Sequence, residues 1–222
     1  MNPAAHTTRR EAFLDAAQRL ILVKGYEQMS VQDVLDELEV SRGALYHYFD
    51  SKAALLDGVL QRMLDAGMAA VAPVVSDPDR SAPEKLSGLF AGLQQWKAER
   101  RDLVLELMRV WYSDENALVR DKLRRGVTGY LAPMLDTIIA QGRAEGVFTP
   151  GAPDTGRVMV GLLMTAQDLA GELYLARQAG TIPYETVAGS FAAYQEAFER
   201  ILGVPAGSLP LVDEATLRLW FG

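Results

Sequence analysis

The chain has 222 residues, 49% hydrophobic and 23% charged, a balance that excludes both a disordered chain and a fibrous one. With 22 Lys and Arg against 29 Asp and Glu the net charge is −7, so any nucleic-acid binding must come from a local basic patch. The absence of cysteine excludes disulfides and thiolate chemistry. No apolar run approaches the roughly 18–20 residues that span a bilayer. Met1-Asn2-Pro3-Ala4-Ala5-His6 lacks a signal-peptide pattern, which predicts a cytoplasmic protein without membrane association.

From Thr8 to Lys24, Phe13, Ala16, Ala17, Leu20 and Ile21 recur at helical spacing, and Gly25 supplies the stop. His6 falls before this helix, in an N-terminal arm. Ser30 opens a short helix, with Asp33 three positions on as a weak variant of the capping box. Val31, Val34, Leu35 and Leu38 form its buried stripe. Glu39-Val40 leaves space only for a turn before Ser41, another N-cap, starts a helix ending near Phe49. Asp50 or Ser51 caps a longer helix through about Ala70, broken by Pro73, and Val74 to Pro83 reads as a loop. Helical patterns follow at Pro83–Glu99, Asp102–Tyr112, Asn116–Ala144, Asp154–Ala179 and Tyr184–Leu202. Gly146, Gly180 and Gly203 stand at C-terminal ends, and Asp213–Trp220 suits a short last helix. No segment reads as a strand, so the expected fold is all-α, with about nine to ten helices.

Catalytic and metal constellations are missing. Two histidines, His6 and His47, exclude zinc-protease spacing and multi-His metal sites. Neither glycine-rich nucleotide motif occurs, and Gly88…Gly92 and Gly126…Gly129 sit in helical patterns. Acidic clusters such as Asp36-Glu37-Glu39 and Asp114-Glu115 read as solvated faces or caps. The expectation is no enzyme, no catalytic residue, no metal and no cofactor.

The second and third helices, with their tight turn, form a helix-turn-helix pattern. If Leu45 and Phe49 point into a small core, Gly43, Tyr46 and His47 fall on the exposed side. Lys52 lies in the first turn of the fourth helix, where the macrodipole disfavours a cation by some tenths of a kcal/mol. A phosphate at that terminus would reverse the sign.

Val40-Ser41-Arg42-Gly43-Ala44-Leu45-Tyr46-His47-Tyr48-Phe49-Asp50-Ser51-Lys52 resembles the helix-turn-helix signature of the TetR/AcrR family of bacterial transcriptional regulators. The likeness extends upstream through Ala12, Ala16, Leu20, Gly25, Tyr26, Ser30, Val31 and Val34. It covers about the first 55 residues closely, and the helical remainder fits the family's size and layout loosely. The resemblance implies a DNA-binding domain over 1–58 and a ligand-binding and dimerisation domain over 59–222. It assigns Ser30 and Tyr48 to phosphates and makes Lys52 an anchor for another. Arg42, Gly43, Ala44, Tyr46 and His47 would present the recognition helix to the major groove, where Arg can fork onto guanine and Ala or Tyr can pack on a thymine methyl. The family commonly has Gly in the turn, where this chain has Glu39, and often Ala-Ala on the second helix, where it has Leu35 and Leu38. Glu39 is therefore expected in a mildly strained conformation. Residues 1–52 hold six cations and eight carboxylates, so much of the backbone grip should come from N–H groups and hydroxyls.

For the larger part, the resemblance implies a small-molecule site within the fifth to seventh helices and a dimer formed by the eighth and ninth. Trp96, Met108, Trp111, Tyr112, Tyr130, Met134, Met159 and Met164 supply surface that suits either an adaptable apolar pocket or ordinary core. Gln167, Asp168 and Glu172 break the apolar run of the eighth helix. They suit a polar or cationic ligand group, solvent or a dimer contact. Leu162, Leu169 and Leu173, with the small Ala188, Ala192 and Ala193, suit a two-fold interface. The expected function is a ligand-responsive regulator, a repressor, binding an inverted-repeat operator as a homodimer. The fourth helix is expected to be the only covalent link along which an effector could move the reading heads. The rival is a helical ligand-binding or enzymatic protein without useful DNA affinity, and DNA retention at low salt separates the two.

Overall fold

The computed structural model describes residues 3–111, 117–149 and 151–222, and every regular element among them is an α-helix. In chain order they are α1 (Pro3–Lys24), α2 (Val31–Glu37), α3 (Arg42–Tyr46), α4 (Lys52–Ser76), α5 (Ala82–Ala98), α6 (Arg101–Trp111), α7 (Ala117–Ala144), α8 (Thr155–Gln178), α9 (Tyr184–Leu202) and α10 (Glu214–Phe221). No helix among the described residues is long and apolar enough to cross a membrane.

Two helices run longer than their sequence patterns predict. α1 begins at Pro3, so the backbone of His6 is helical and not part of an arm. Proline suits a first helical position, where its missing N–H would have no partner in any case. α4 passes through Pro73 and ends at Ser76. Its last turns are held by packing: β-carbons added at Gly92 and Gly88 of α5 would lie 2.9 and 2.7 Å from Val71 and Val74. Two α4 side chains thus sit against glycines, and this close approach outweighs one lost backbone bond. Ser76 Oγ also donates to the Ala72 carbonyl at 3.1 Å.

The described chain divides into two compact units, Met1–Ala66 with Glu99–Gly126, and Gly67–Ala98 with Val127–Gly222. The backbone passes between them in α4, between α5 and α6, and in α7. α4 is therefore one of three covalent connections between these two units.

In the first unit, α1 buries Phe13, Leu14, Ala16, Ala17 and Ile21 against Val34 and Leu35 of α2, Leu45, Phe49, and Leu55, Leu56 and Val59 of α4. Leu103 and Leu107 of α6 join the same core, as does Val119 of α7. Polar ties fix the edges. Arg62 of α4 donates to Asp15 at 2.7 Å, Gln18 at 2.7 Å and Glu11 at 3.2 Å, all on α1. Glu106 of α6 accepts the Tyr26 backbone N–H at 3.3 Å.

In the second unit, Phe90 of α5 meets Phe198 of α9 edge-on, with ring centroids 6.0 Å apart. α8 packs along α9, and α10 lies on both, burying Leu173, Val187, Leu217 and Phe221 together. Burial opposes charge on Glu199. The Leu209 and Gly207 N–H groups, with Gln195, outweigh it and hold the carboxyl below its usual range. That carboxylate fastens the loop after α9.

Candidate functional site

The helix-turn-helix is fixed by a complete capping box at the start of α2. Ser30 Oγ accepts the Asp33 N–H at 3.1 Å, and Asp33 accepts from the Ser30 N–H and hydroxyl at 2.8 Å each. Lys24 adds an ion pair to Asp33 at 2.6 Å. That lysine, with both Ser30 donors, lowers the Asp33 pKa to about 2. The weak box expected from the sequence is therefore reciprocal, and it occupies the Ser30 hydroxyl proton that a phosphate would use. At Ser41 the arrangement is reversed. Its backbone is extended and caps α3, yet its exposed side chain makes no capping bond.

Glu39 makes the turn with φ 52°, the left-handed conformation expected of it. The Val40 N–H then returns to the Leu35 carbonyl at 3.0 Å. Leu45 and Phe49 are buried, which turns Arg42, Gly43, Tyr46 and His47 outward. Tyr46 is 43% exposed, a large ring left accessible to solvent. The Arg42 guanidinium lies 5.8 Å from the Tyr46 ring centroid, so one α3 face carries a cation stacked on an aromatic. Ala44 is half-buried against the core. Tyr48 is wedged between Phe13 and His47, at ring-centroid distances of 5.7 and 5.1 Å.

Lys52 has an internal role that its sequence position does not reveal. Its ammonium donates to the Glu27 carbonyl at 3.0 Å and lies 4.3 Å from the Tyr26 ring centroid. These contacts offset the unfavourable helix-terminal position and clamp the α1–α2 loop to α4.

The ion pairs also answer the charge problem. Arg10, Arg19 and Lys24 are paired with Glu11, Glu37 and Asp33. Among the described residues of this segment Arg9, Arg42 and Lys52 have no carboxylate partner, and Arg42 lies on the exposed face of α3 against Tyr46. A segment with a small net negative charge thus keeps uncompensated positive charge beside its exposed aromatic ring.

Residues 13–59 match the family model for bacterial regulatory proteins of the tetR family, a span that contains the capping box, turn and exposed face just described. The helix-turn-helix segment is that of the tetR family. A relative in Mycobacterium tuberculosis, the HTH-type transcriptional repressor KstR2, is 27% identical over 203 residues, covering 81% of this chain and 96% of that protein. Among solved structures, the fatty acid degradation regulator FadR from Bacillus halodurans aligns with a TM-score of 0.60 at 18% identity, covering 91% of this chain and 96% of the other. Salmonella enterica GusR aligns at 0.59 and 15% identity, covering 88% and 96%. At these identities the two structures speak for the fold.

The residues expected on the effector side are distributed over both units. Met108 is half-buried in α6 of the first, and Trp111 ends that helix with its side chain outside the described set. Tyr112 lies outside the described residues. In the second unit Trp96, Met134, Met164, Gln167 and Asp168 are half-buried, whereas Tyr130 is 41% exposed. The structure brings Gln167 to Lys97, whose ammonium donates to its Oε1 at 3.0 Å. Sequence reasoning missed Lys97, although a lysine directly after Trp96 near the end of a half-apolar helix was the available signal. Of the interface candidates, Ala192 and Ala193 are exposed, and Leu162, Leu169 and Ala188 are half-buried. Leu173 is 8% exposed, covered within its own chain by the α8–α9–α10 cluster.

Proposed function

We propose that this protein is a transcriptional repressor whose α3 face enters the major groove of an inverted-repeat operator, and that a small-molecule effector releases it. The observation that carries this reading is the outward face of α3. Arg42, Gly43 and Tyr46 together present to solvent a cation, a bare backbone and an aromatic ring 43% exposed. Arg42 has the reach and charge for guanine, and Tyr46 for a thymine methyl or a phosphate. Ser41, Tyr48 and Lys52 flank that face and serve as phosphate contacts, with Ser41 taking the role that the capped Ser30 fills poorly.

A homodimer presents two such faces. α8 leaves Val158 and Leu175 57% and 48% exposed, while α9 exposes Ala192 and Ala193. Small side chains permit close helix approach across a two-fold axis, and the exposed apolar ones gain by being covered there. The effector site lies in the ligand-binding part. α4 and α7, both continuous across the two units, are the elements able to transmit its occupancy.

Protection of the DNA flanking the protein's own gene tests this reading. The expected footprint consists of two symmetry-related half-sites about 34–36 Å apart, or somewhat more. Absence of protection at low salt, where non-specific contacts are strongest, would overturn it.

A further inference from the structure

In the second unit, the second half of α5 and the middle of α8 are incompletely buried. On α5, Leu86, Leu89 and Phe90 are buried, but every residue from 91 to 98 stays at least partly accessible. On α8, Met159 and Val160 are buried, whereas no residue from 161 to 168 is. A helix that carries Leu162, Leu163, Met164 and Ala166 in that stretch would bury one face completely against a filled core. Its middle does not. Trp96 packs over Gly67, where an added β-carbon would lie 3.6 Å from the ring.

Lys97 lies in this incompletely buried half of α5. Its ammonium reaches across from α5 to α8 and gives one of its three protons to Gln167 Oε1. No carboxylate among the described residues pairs with it, and burial pushes its pKa below the usual lysine range. A half-buried cation bonded to a neutral amide loses hydration without receiving a counter-charge. Two ammonium protons and the Gln167 amide N–H groups remain for an incoming acceptor.

We propose that Lys97 anchors a carboxylate-bearing effector, with the acid held by Lys97 Nζ and Gln167 Nε2 and an apolar body lying along Trp96 and the middle of α8. This rests on the effector-responsive reading above and adds the chemical class: an amphiphilic monocarboxylic acid. One ammonium neutralises one charge, so a phosphate dianion leaves charge uncompensated and is a poorer fit.

The test uses decanoate, decanol and decyl phosphate as probes, read by Trp fluorescence and calorimetry on the full chain. Wild type should bind decanoate at least about tenfold more tightly than decanol, a preference of about 1.4 kcal/mol. Decyl phosphate should bind more weakly than decanoate. Lys97→Met should abolish the preference for acid over alcohol, and Lys97→Arg should retain part of it. A purely structural lysine would be missed by the fold, so urea unfolding without probe is run in parallel. Lys97→Met is expected to be at least as stable as wild type, and a destabilised variant would contradict the anchor. Equal binding of acid and alcohol by wild type, no binding of decanoate, a preference for decyl phosphate, or equal losses for acid and alcohol in Lys97→Met would each overturn the proposal. Failure of the parent reading looks different: selective decanoate binding by a chain that retains no DNA.

Discussion

A β-carbon added at Gly43 would meet nothing in the folded chain. Folding therefore places no steric demand for glycine at this position, and helix propensity favours alanine there by about 0.5–1 kcal/mol. Glycine is retained at a cost to the short α3, which is understandable if another backbone must approach closely. Gly43→Ala should leave urea stability unchanged or raised while lowering operator affinity. Unchanged affinity would show that no surface comes close to Gly43. Glu39 shows a different balance. Its left-handed conformation costs about 1–2 kcal/mol relative to a relaxed residue, and it is tolerated because Leu35, Val40 and Leu45 fix the chain on both sides of the turn.

At the scale of elements, α2 depends on its N-terminal cap. Asp33 is held at a pKa of about 2, against an ordinary 3.8, first by its hydrogen bond with Lys24 and then by Ser30. A carboxyl with a depressed folded-state pKa contributes stability that is fully present above its unfolded value and is lost as pH falls through the folded one. The wild-type protein should therefore lose an increment of stability between pH 3.8 and about 2 that Asp33→Asn lacks, measured by urea unfolding at stepped pH. Parallel acid limbs for the two proteins would refute the role of the cap.

Helix order was legible from the spacing of apolar residues and from the cap and stop residues, and the positive φ values of Gly25, Gly146, Gly180 and Gly203 show why their glycines mark the ends. Pro73 was misleading because proline reports only a lost backbone bond. The Val71–Gly92 and Val74–Gly88 contacts that outweigh it pair residues from two helices. The partners of Lys52 were hidden for a similar reason, since Glu27 and Tyr26 reach it only after α1 and α2 fold back. The exposed α3 face, in contrast, could be read directly, because its spacing is local to one short segment.

For the whole molecule, net charge is a poor guide to where DNA binds. The −7 total is spread over the chain, while ion pairs silence Arg10, Arg19 and Lys24 and leave Arg42 uncompensated beside Tyr46. Few cationic phosphate contacts imply a shallow dependence of affinity on salt. Lys52 is a poor probe of this interface, because its removal also breaks the clamp on the α1–α2 loop. Tyr46 is the better one: its ring touches solvent and the Arg42 guanidinium, so truncation leaves the core intact. The most direct measurement is fluorescence anisotropy of the protected operator titrated with wild type and with Tyr46→Ala, with urea stability matched. Loss of one such side-chain contact in each half-site should weaken binding at least about tenfold, given roughly 1–3 kcal/mol per specific contact. Equal affinity of two equally folded proteins would contradict the assignment of the α3 face as the surface that meets DNA.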